Sequence, residues 1–120
     1  MGLRVISVGL FITTVLLGMK ATAVGMPGGL SEEKPMTPEV QELINEVRPD
    51  VEEHLGRPVS RFEGLNYKTQ VVSGLNYFVK VDIGDNEVVH IRVYHTFDGT
   101  NTLNGVQHFT DKLDRPISYF

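Results

Sequence analysis

The residues able to do chemistry are few and badly spaced for it. Four histidines stand at 54, 90, 95 and 108. His90 and His95 are an odd number of residues apart in a stretch that alternates like a strand, so they point to opposite faces. No pair has the spacing of a zinc site, and the chain contains no cysteine to complete one. Without cysteine there is also no thiolate chemistry and no disulfide. Ser31, Ser60, Ser73 and Ser118 lack the glycine-flanked context of a nucleophile elbow. Glu52, Glu53, Asp82 and Asp85 read as solvated helix and turn positions, and the histidines as exposed structural residues. Gly28-Gly29 follows no strand, which argues against a phosphate-binding loop. The expectation is therefore a protein that binds rather than catalyses, without metal or cofactor; a small enzyme whose site is assembled only by the fold is the alternative.

The stretch that calls for a binding explanation is "QVVSG", Gln70 to Gly74. Valine is stiff at its branched carbon and resists tight turns. Two valines, Val71 and Val72, beside a turn glycine gain little unless something covers them. Either they pack inside their own hairpin, or a partner buries them.

The elements that position this stretch follow from periodicity. Thr37-Pro38 is a helix start, an N-cap threonine with proline at the first helical position. Glu39 and Glu42 suit the positive end of the helix dipole. Val40, Leu43, Ile44, Val47, Val51 and Leu55 recur at steps of three or four, which predicts a helix from about 38 to 54, ending at Gly56 with Pro58 beyond. Pro49 predicts a kink rather than a break, because the apolar face stays in register beyond it. After Pro58 the period becomes two. Strands are expected over 60–70, 75–83, 88–97 and, more weakly, 106–113. Tyr77, Val79, Val81 and Ile83 share one face, and so do Val89, Ile91, Val93, His95 and Phe97. Gly84-Asp85-Asn86 is a tight turn and Phe97–Gly105 a longer loop. One helix lying on an antiparallel sheet of consecutive hairpins, covered on one face, makes an α+β domain.

Residues 24–36, "VGMPGGLSEEKPM", read as an extended flexible arm. In a meander, the loops after the first and third strands emerge at the same end of the sheet. If the arm starts there too, three segments form one apolar edge suited to a groove.

The first 23 residues differ in kind. Arg4 precedes an uncharged run from Val5 to Met19, followed by Lys20 and Ala21-Thr22-Ala23. These are the parts of a secretory signal peptide; a buried helix or membrane anchor is the alternative, although the run falls short of the ~20 residues that span a bilayer. Cleavage after Ala23 leaves 120 − 23 = 97 residues and, with Arg4 and Lys20 lost, takes the net charge from −4 to −4 − 2 = −6. That sign argues against nucleic acid or an anionic membrane as partner. The length fits one domain. No Asn-x-Ser/Thr sequon is present.

At this point the residues resemble a known family. "QVVSG" looks like the Gln-x-Val-x-Gly loop of the cystatins, inhibitors of papain-like cysteine proteases. "MPGGLSEEKPMTPEVQELINEVRPDVEEHLG" is similar to the start of the stefins, the disulfide-free cystatins, including the helix proline. "YKTQVVSGLNYFVKVDIGDN" and the terminal "SYF" continue the likeness, which covers residues 26–120. It implies a cystatin-like sheet of four to five strands wrapped around one long helix. It also implies a reversible, tight-binding competitive inhibitor of cathepsin-type proteases. Carried over by position, Gly28 is the arm glycine and Gln70, Val71, Val72, Ser73 and Gly74 the central loop, with Pro27 and Gly29 beside the arm glycine. Two departures stand out. Stefins usually have a Leu-Pro pair in the second loop, where Phe97-Asp98-Gly99 stands here, and they usually lack a signal peptide. Secretion after cleavage is therefore expected from the leader, with a cytoplasmic form if translation starts at Met26. A non-inhibitory binding or scaffold protein on the same fold is the alternative function. A monomer is expected, with domain swapping as a route to a dimer.

Overall fold

A computed structural model describes residues 29–111 and 115–120. Strand β1 (Lys34–Pro35) leads into helix α1 (Pro38–Leu55), followed by β2 (Glu63–Val72), β3 (Gly74–Gly84), β4 (Glu87–His95) and β5 (Asn101–Phe109). The five strands form one antiparallel sheet in the order β1-β2-β3-β4-β5. The architecture is α+β, with the helix packed on one face.

The helix begins and ends where its chemistry requires. Thr37 is extended at the N-cap, and its Oγ1 accepts from the Val40 amide at 3.2 Å. At the far end Gly56 takes the left-handed conformation, φ 80°, and its amide reaches back to Glu52 and Glu53 carbonyls. Val40, Leu43, Ile44, Val47 and Val51 are buried. They meet Val79, Val81, Ile83, Val89, Ile91 and Val93 of the sheet, with Val59 and Phe62 closing the rim. Pro49 lies on the exposed side and the helix runs through it unbroken. Its ring thus faces solvent, where the lost backbone hydrogen bond leaves the Asn45 carbonyl open to water.

Several expectations need correction. The sheet is covered on both faces. Phe78 alternates away from the helix yet is fully buried, because Tyr119 and Phe120 stack on it at 5.7 Å between centroids. Ile117 of the same terminal segment is 2% exposed. His90, expected at the surface, is buried edge-on against Phe109 at 4.9 Å. Asp82 is not a solvated turn carboxylate either: it is largely buried, accepts from the Gly84 amide at 2.9 Å and pairs with Arg61 at 3.0 Å.

The last strand starts at Asn101, not 106, and ends at Phe109. "TNTLNG" is rich in turn-forming residues, but Leu103 packs against the core and its ladder to β4 overrides local preference. Strand β4 in turn ends at His95, so Phe97 leaves the apolar face and stands in the connection. Strand β2 begins at Glu63 rather than 60 and continues through Val72 rather than stopping at 70. The supposed flexible arm is also tied down in part: Lys34 pairs with Tyr67 and Pro35 with Asn66. The expected leader (1–23), the first five residues of the arm (24–28) and the end of the expected last strand (112–113) lie outside the described residues.

Candidate functional site

Three segments meet at one end of the sheet. Across the strands a single row of partners runs Val71, Leu75, His95, Asn101. The β2–β3 turn lies just beyond its first pair and the β4–β5 connection just beyond its last. The arm joins from the other side, where the Ser31 amide donates to the Thr69 carbonyl at 2.8 Å. Gly29 is exposed and Leu30 half-buried next to this tie.

The β2–β3 turn is as tight as a hairpin allows, since Val72 pairs directly with Gly74. Val71 is 75% exposed and Val72 39%. The valines therefore do not pack inside their own hairpin. Ser73, at the tip, is exposed, and no base is in hydrogen-bond contact with its hydroxyl among the bonds described. Gly74 has φ +122°, and a Cβ there would stand 2.6 Å from the His95 carbonyl oxygen. Only glycine fits both the angle and the approach.

Two braces that sequence reasoning missed hold this turn. The Tyr94 hydroxyl, from β4, donates to the Ser73 carbonyl. The Asn76 side-chain amide donates to Gln70 Oε1 at 2.8 Å. Gln70 is 5% exposed, so its side chain supports the loop from within rather than offering a surface. Tyr94 gave no local signal, because it reads as one more aromatic strand residue and its target is 21 positions away.

The second connection, Thr96–Thr100, is closed by backbone bonds from Thr96 to Thr100 at 2.9 Å and from Gly99 to Thr96 at 3.0 Å. Phe97 stands at its tip, 88% exposed, a second large apolar side chain facing solvent at this end. Asp98 is held internally: it accepts from the Thr96 hydroxyl and from the Thr100 amide. These bonds, led by the Thr96 hydroxyl, hold its carboxyl below the usual carboxylate range. Gly99, at φ +91°, has open space around it.

A shallow groove lies behind this connection, lined by Glu39, Glu42 and Glu46 of the helix with Tyr77, His95 and Asn101. Three of its polar groups bond in a chain: His95 Nδ1 meets Asn101 Oδ1 at 2.6 Å, and Asn101 donates to Glu46 at 2.8 Å. Among the described residues no group of three or more His, Asp or Glu converges on a metal position, and no helix is long and apolar enough to cross a membrane. Of the expected site residues, Gln70–Gly74, Gly29 and Phe97–Gly99 come together at one end. Pro27 and Gly28 lie outside the described residues.

The chain is similar to known proteins over most of its length. The cystatin domain family model matches residues 28–112. Cystatin-A of Felis catus is 49% identical over 85 residues, spanning 68% of this chain and 87% of that one. Cystatin-A of Homo sapiens is 45% identical over 92 residues, 74% and 94% of the two chains. Stefin-1 of Mus musculus is 42% identical over 96 residues, 78% and 97%. These are cystatins rather than enzymes, and the chain is not an enzyme. With the family match spanning most of its length, the chain belongs to the cystatin family, on its stefin branch.

Proposed function

We propose that the protein is a reversible, tight-binding competitive inhibitor of papain-like cysteine proteases of the cathepsin type. In this reading the β2–β3 turn enters the active-site cleft, with the arm at Gly28 beside it. The observation that carries the reading is the pair Val71 and Val72, exposed at the tip of a turn that is braced from beneath. Burying a valine contributes roughly 1.5–3 kcal/mol. With Val71 75% and Val72 39% exposed, roughly one valine's worth of surface remains to be buried, which raises affinity by about 10- to 300-fold, since each 1.4 kcal/mol is about tenfold. A turn already held in shape loses little entropy on docking. The family membership supports the same partner class; one relative, from Sus scrofa, is named "Leukocyte cysteine proteinase inhibitor 1". The experiment is a titration against papain with a small fluorogenic substrate. Near-stoichiometric inhibition is expected, and none at micromolar protein would overturn the reading.

Residues 1–23 act, in this proposal, as a signal peptide cleaved after Ala23, and the inhibitor works outside the cell. What supports this is the leader's own pattern: Arg4, the uncharged run from Val5 to Met19, and the small residues Ala21-Thr22-Ala23. Mass spectrometry of the N-terminus from cells and medium tests it. A major intact species starting at Met1, or at Met26 in the cytoplasm, would refute cleavage. The active form is a monomer, because swapping through the β2–β3 turn would straighten the edge that enters the cleft. A dimer that inhibits as well as the monomer would contradict this.

A further inference from the structure

A reactive atom stands away from the valine turn, in the thioether of Met36. The chain has no cysteine, so all its sulfur is in methionine and no thiol competes for an oxidant. Met36 is the methionine among the described residues, half-buried and packed against the core. It stands between two fastenings: Pro35 before it ends β1 and pairs with Asn66, and Thr37 after it caps the helix. Its thioether end fills a slot at Gly64. A Cβ on Gly64 would stand 2.9 Å from Met36 Sδ and closer still to Cε. Gly64 has no positive φ, so its backbone conformation does not call for glycine. The space taken by the sulfur and its methyl does. The slot lies at the bulge in β2, where the register with β3 shifts between Gly64 and Asn66. The amide of Gly64 is already committed, since it donates to Gln41 Oε1 at 2.9 Å.

We propose that Met36 is an oxidative modification site, and that its sulfoxide unfastens β1 and with it the arm. The oxidant class is a peroxide. A sulfur lone pair attacks one peroxide oxygen, so that an S–O bond forms and the O–O bond breaks. The departing hydroxide takes the proton left on the sulfur-bound oxygen and leaves as water. Sulfur is oxidised by two electrons and the peroxide reduced by two. The product is a polar and bulkier group in place of an apolar one. Inside the slot its oxygen would face apolar core atoms and an amide bonded elsewhere, and burying it unpaired is costly. The side chain therefore turns out to water and draws Pro35 with it. Strand β1 has only two residues to hold it, so losing this anchor opens it locally while the rest of the sheet stays closed. The Ser31–Thr69 bond is then the arm's remaining described tie. Release of β1 stands without the inhibitor reading; the loss of protease binding that follows from it rests on that reading.

The test treats the full chain with hydrogen peroxide, removes the oxidant and places the added oxygen by peptide mass spectrometry. Met36 should gain one oxygen. In the free protein, amide exchange at Ser31 and Thr69 should then quicken by about tenfold or more, with exchange in β3 and β4 unchanged. Methionine sulfoxide reductase should reverse this. Met36→Leu keeps an apolar side chain without the sulfur, and its exchange should be the same before and after peroxide. The other methionines are present in both proteins, so their oxidation drops out of the comparison. Met36→Gln supplies a polar end without any oxidant and should reproduce the faster exchange. Dissociation from active-site-blocked papain should quicken by about three- to thirtyfold in treated parent and not in treated Met36→Leu. The proposal fails if Met36 stays unoxidised where a methionine-containing peptide is oxidised, or if it takes up oxygen while exchange at Ser31 and Thr69 is unchanged. It fails too if protection is lost throughout the sheet, since that is unfolding and not local release. A parent that does not bind papain overturns the inhibitor reading alone, because the exchange measurement needs no protease.

Discussion

Ser31 and Thr69 are tied by two hydrogen bonds running in opposite directions. The Ser31 amide donates to the Thr69 carbonyl at 2.8 Å, and the Thr69 amide donates to Ser31 Oγ at 2.9 Å. The arm is therefore anchored one residue before the valine turn begins, at Gln70. Gly29 and Leu30, the described residues before Ser31, thus leave from a fixed point beside the turn.

The arm should act on escape and not on arrival. Removing residues up to Gly29 is expected to raise the dissociation rate from inactivated papain by about one to three decades, with association nearly unchanged. Ser31→Ala keeps the arm but deletes the acceptor for the Thr69 amide, which costs about 0.5–1.5 kcal/mol. It should reproduce part of the same kinetic change. Stopped-flow binding separates the two rates. Unchanged dissociation in both variants would reduce the arm to a spacer.

Val72→Asp puts a charge where the turn meets the cleft. Val72 is already partly exposed in the free protein, so folding should be little affected. In the complex the carboxylate would be buried without a partner, at a cost of several kcal/mol. Inhibition of papain should fall by at least about a hundredfold, with a melting temperature near the parent's. A folded variant that inhibits as well as the parent would show that the turn stays outside the cleft.

The parts of the fold that were legible in the sequence are those whose cause is local. Thr37 and Gly56 cap the helix because hydroxyl and missing Cβ act within four residues. The apolar helix face was readable for the same reason, and so was the positive φ of Gly74. What escaped depends on distant partners. Lys34 and Pro35 become a strand only because Asn66 and Tyr67 lie alongside. Phe78 and His90 look solvent-facing by alternation until the terminal residues and Phe109 cover them. At the site, the exposed valines were legible as a puzzle, but the brace from Tyr94 was not. A strand tyrosine carries no mark of the carbonyl its hydroxyl will reach.

Acid should weaken the connection between helix and sheet through Glu52. Its carboxylate accepts from the Val59 amide at 2.9 Å and pairs with Arg48 at 3.4 Å. The amide bond is the larger cause holding it below the usual carboxylate range; burial opposes the shift and Arg48 adds to it. A depressed carboxylate stabilises fully above its unfolded pKa, and the contribution is lost as pH falls through the folded value. The melting temperature should therefore drop, as pH falls below the ordinary glutamate value of 4.5, more steeply in the parent than in Glu52→Gln, which keeps an acceptor without the titration. Parallel curves for the two proteins would remove Glu52 from the acid response.

Gly74→Ala tests whether the turn is preformed or moulded by the protease. At φ +122° an alanine is strained, and its Cβ would sit 2.6 Å from the His95 carbonyl oxygen, a backbone atom that cannot swing aside. The Tyr94 ring, at 3.1 Å, closes the other escape. Relief requires the Val72–Gly74 pair to open or β4 to retreat, and either motion pulls the Ser73 carbonyl away from the Tyr94 hydroxyl. The strain alone is on the order of 1–3 kcal/mol. Urea unfolding should show a loss of at least that size with an unchanged m-value. Binding should suffer beyond the loss of stability, because the valines would no longer be held at the tip. Tyr94→Phe gives the matching measurement from the other partner. It leaves the glycine alone and removes one hydrogen bond, so stability should fall by about 0.5–1.5 kcal/mol while dissociation from papain quickens severalfold. If Gly74→Ala lowers stability yet both variants bind papain with parental rates, the protease shapes the turn itself, and the bracing serves folding alone.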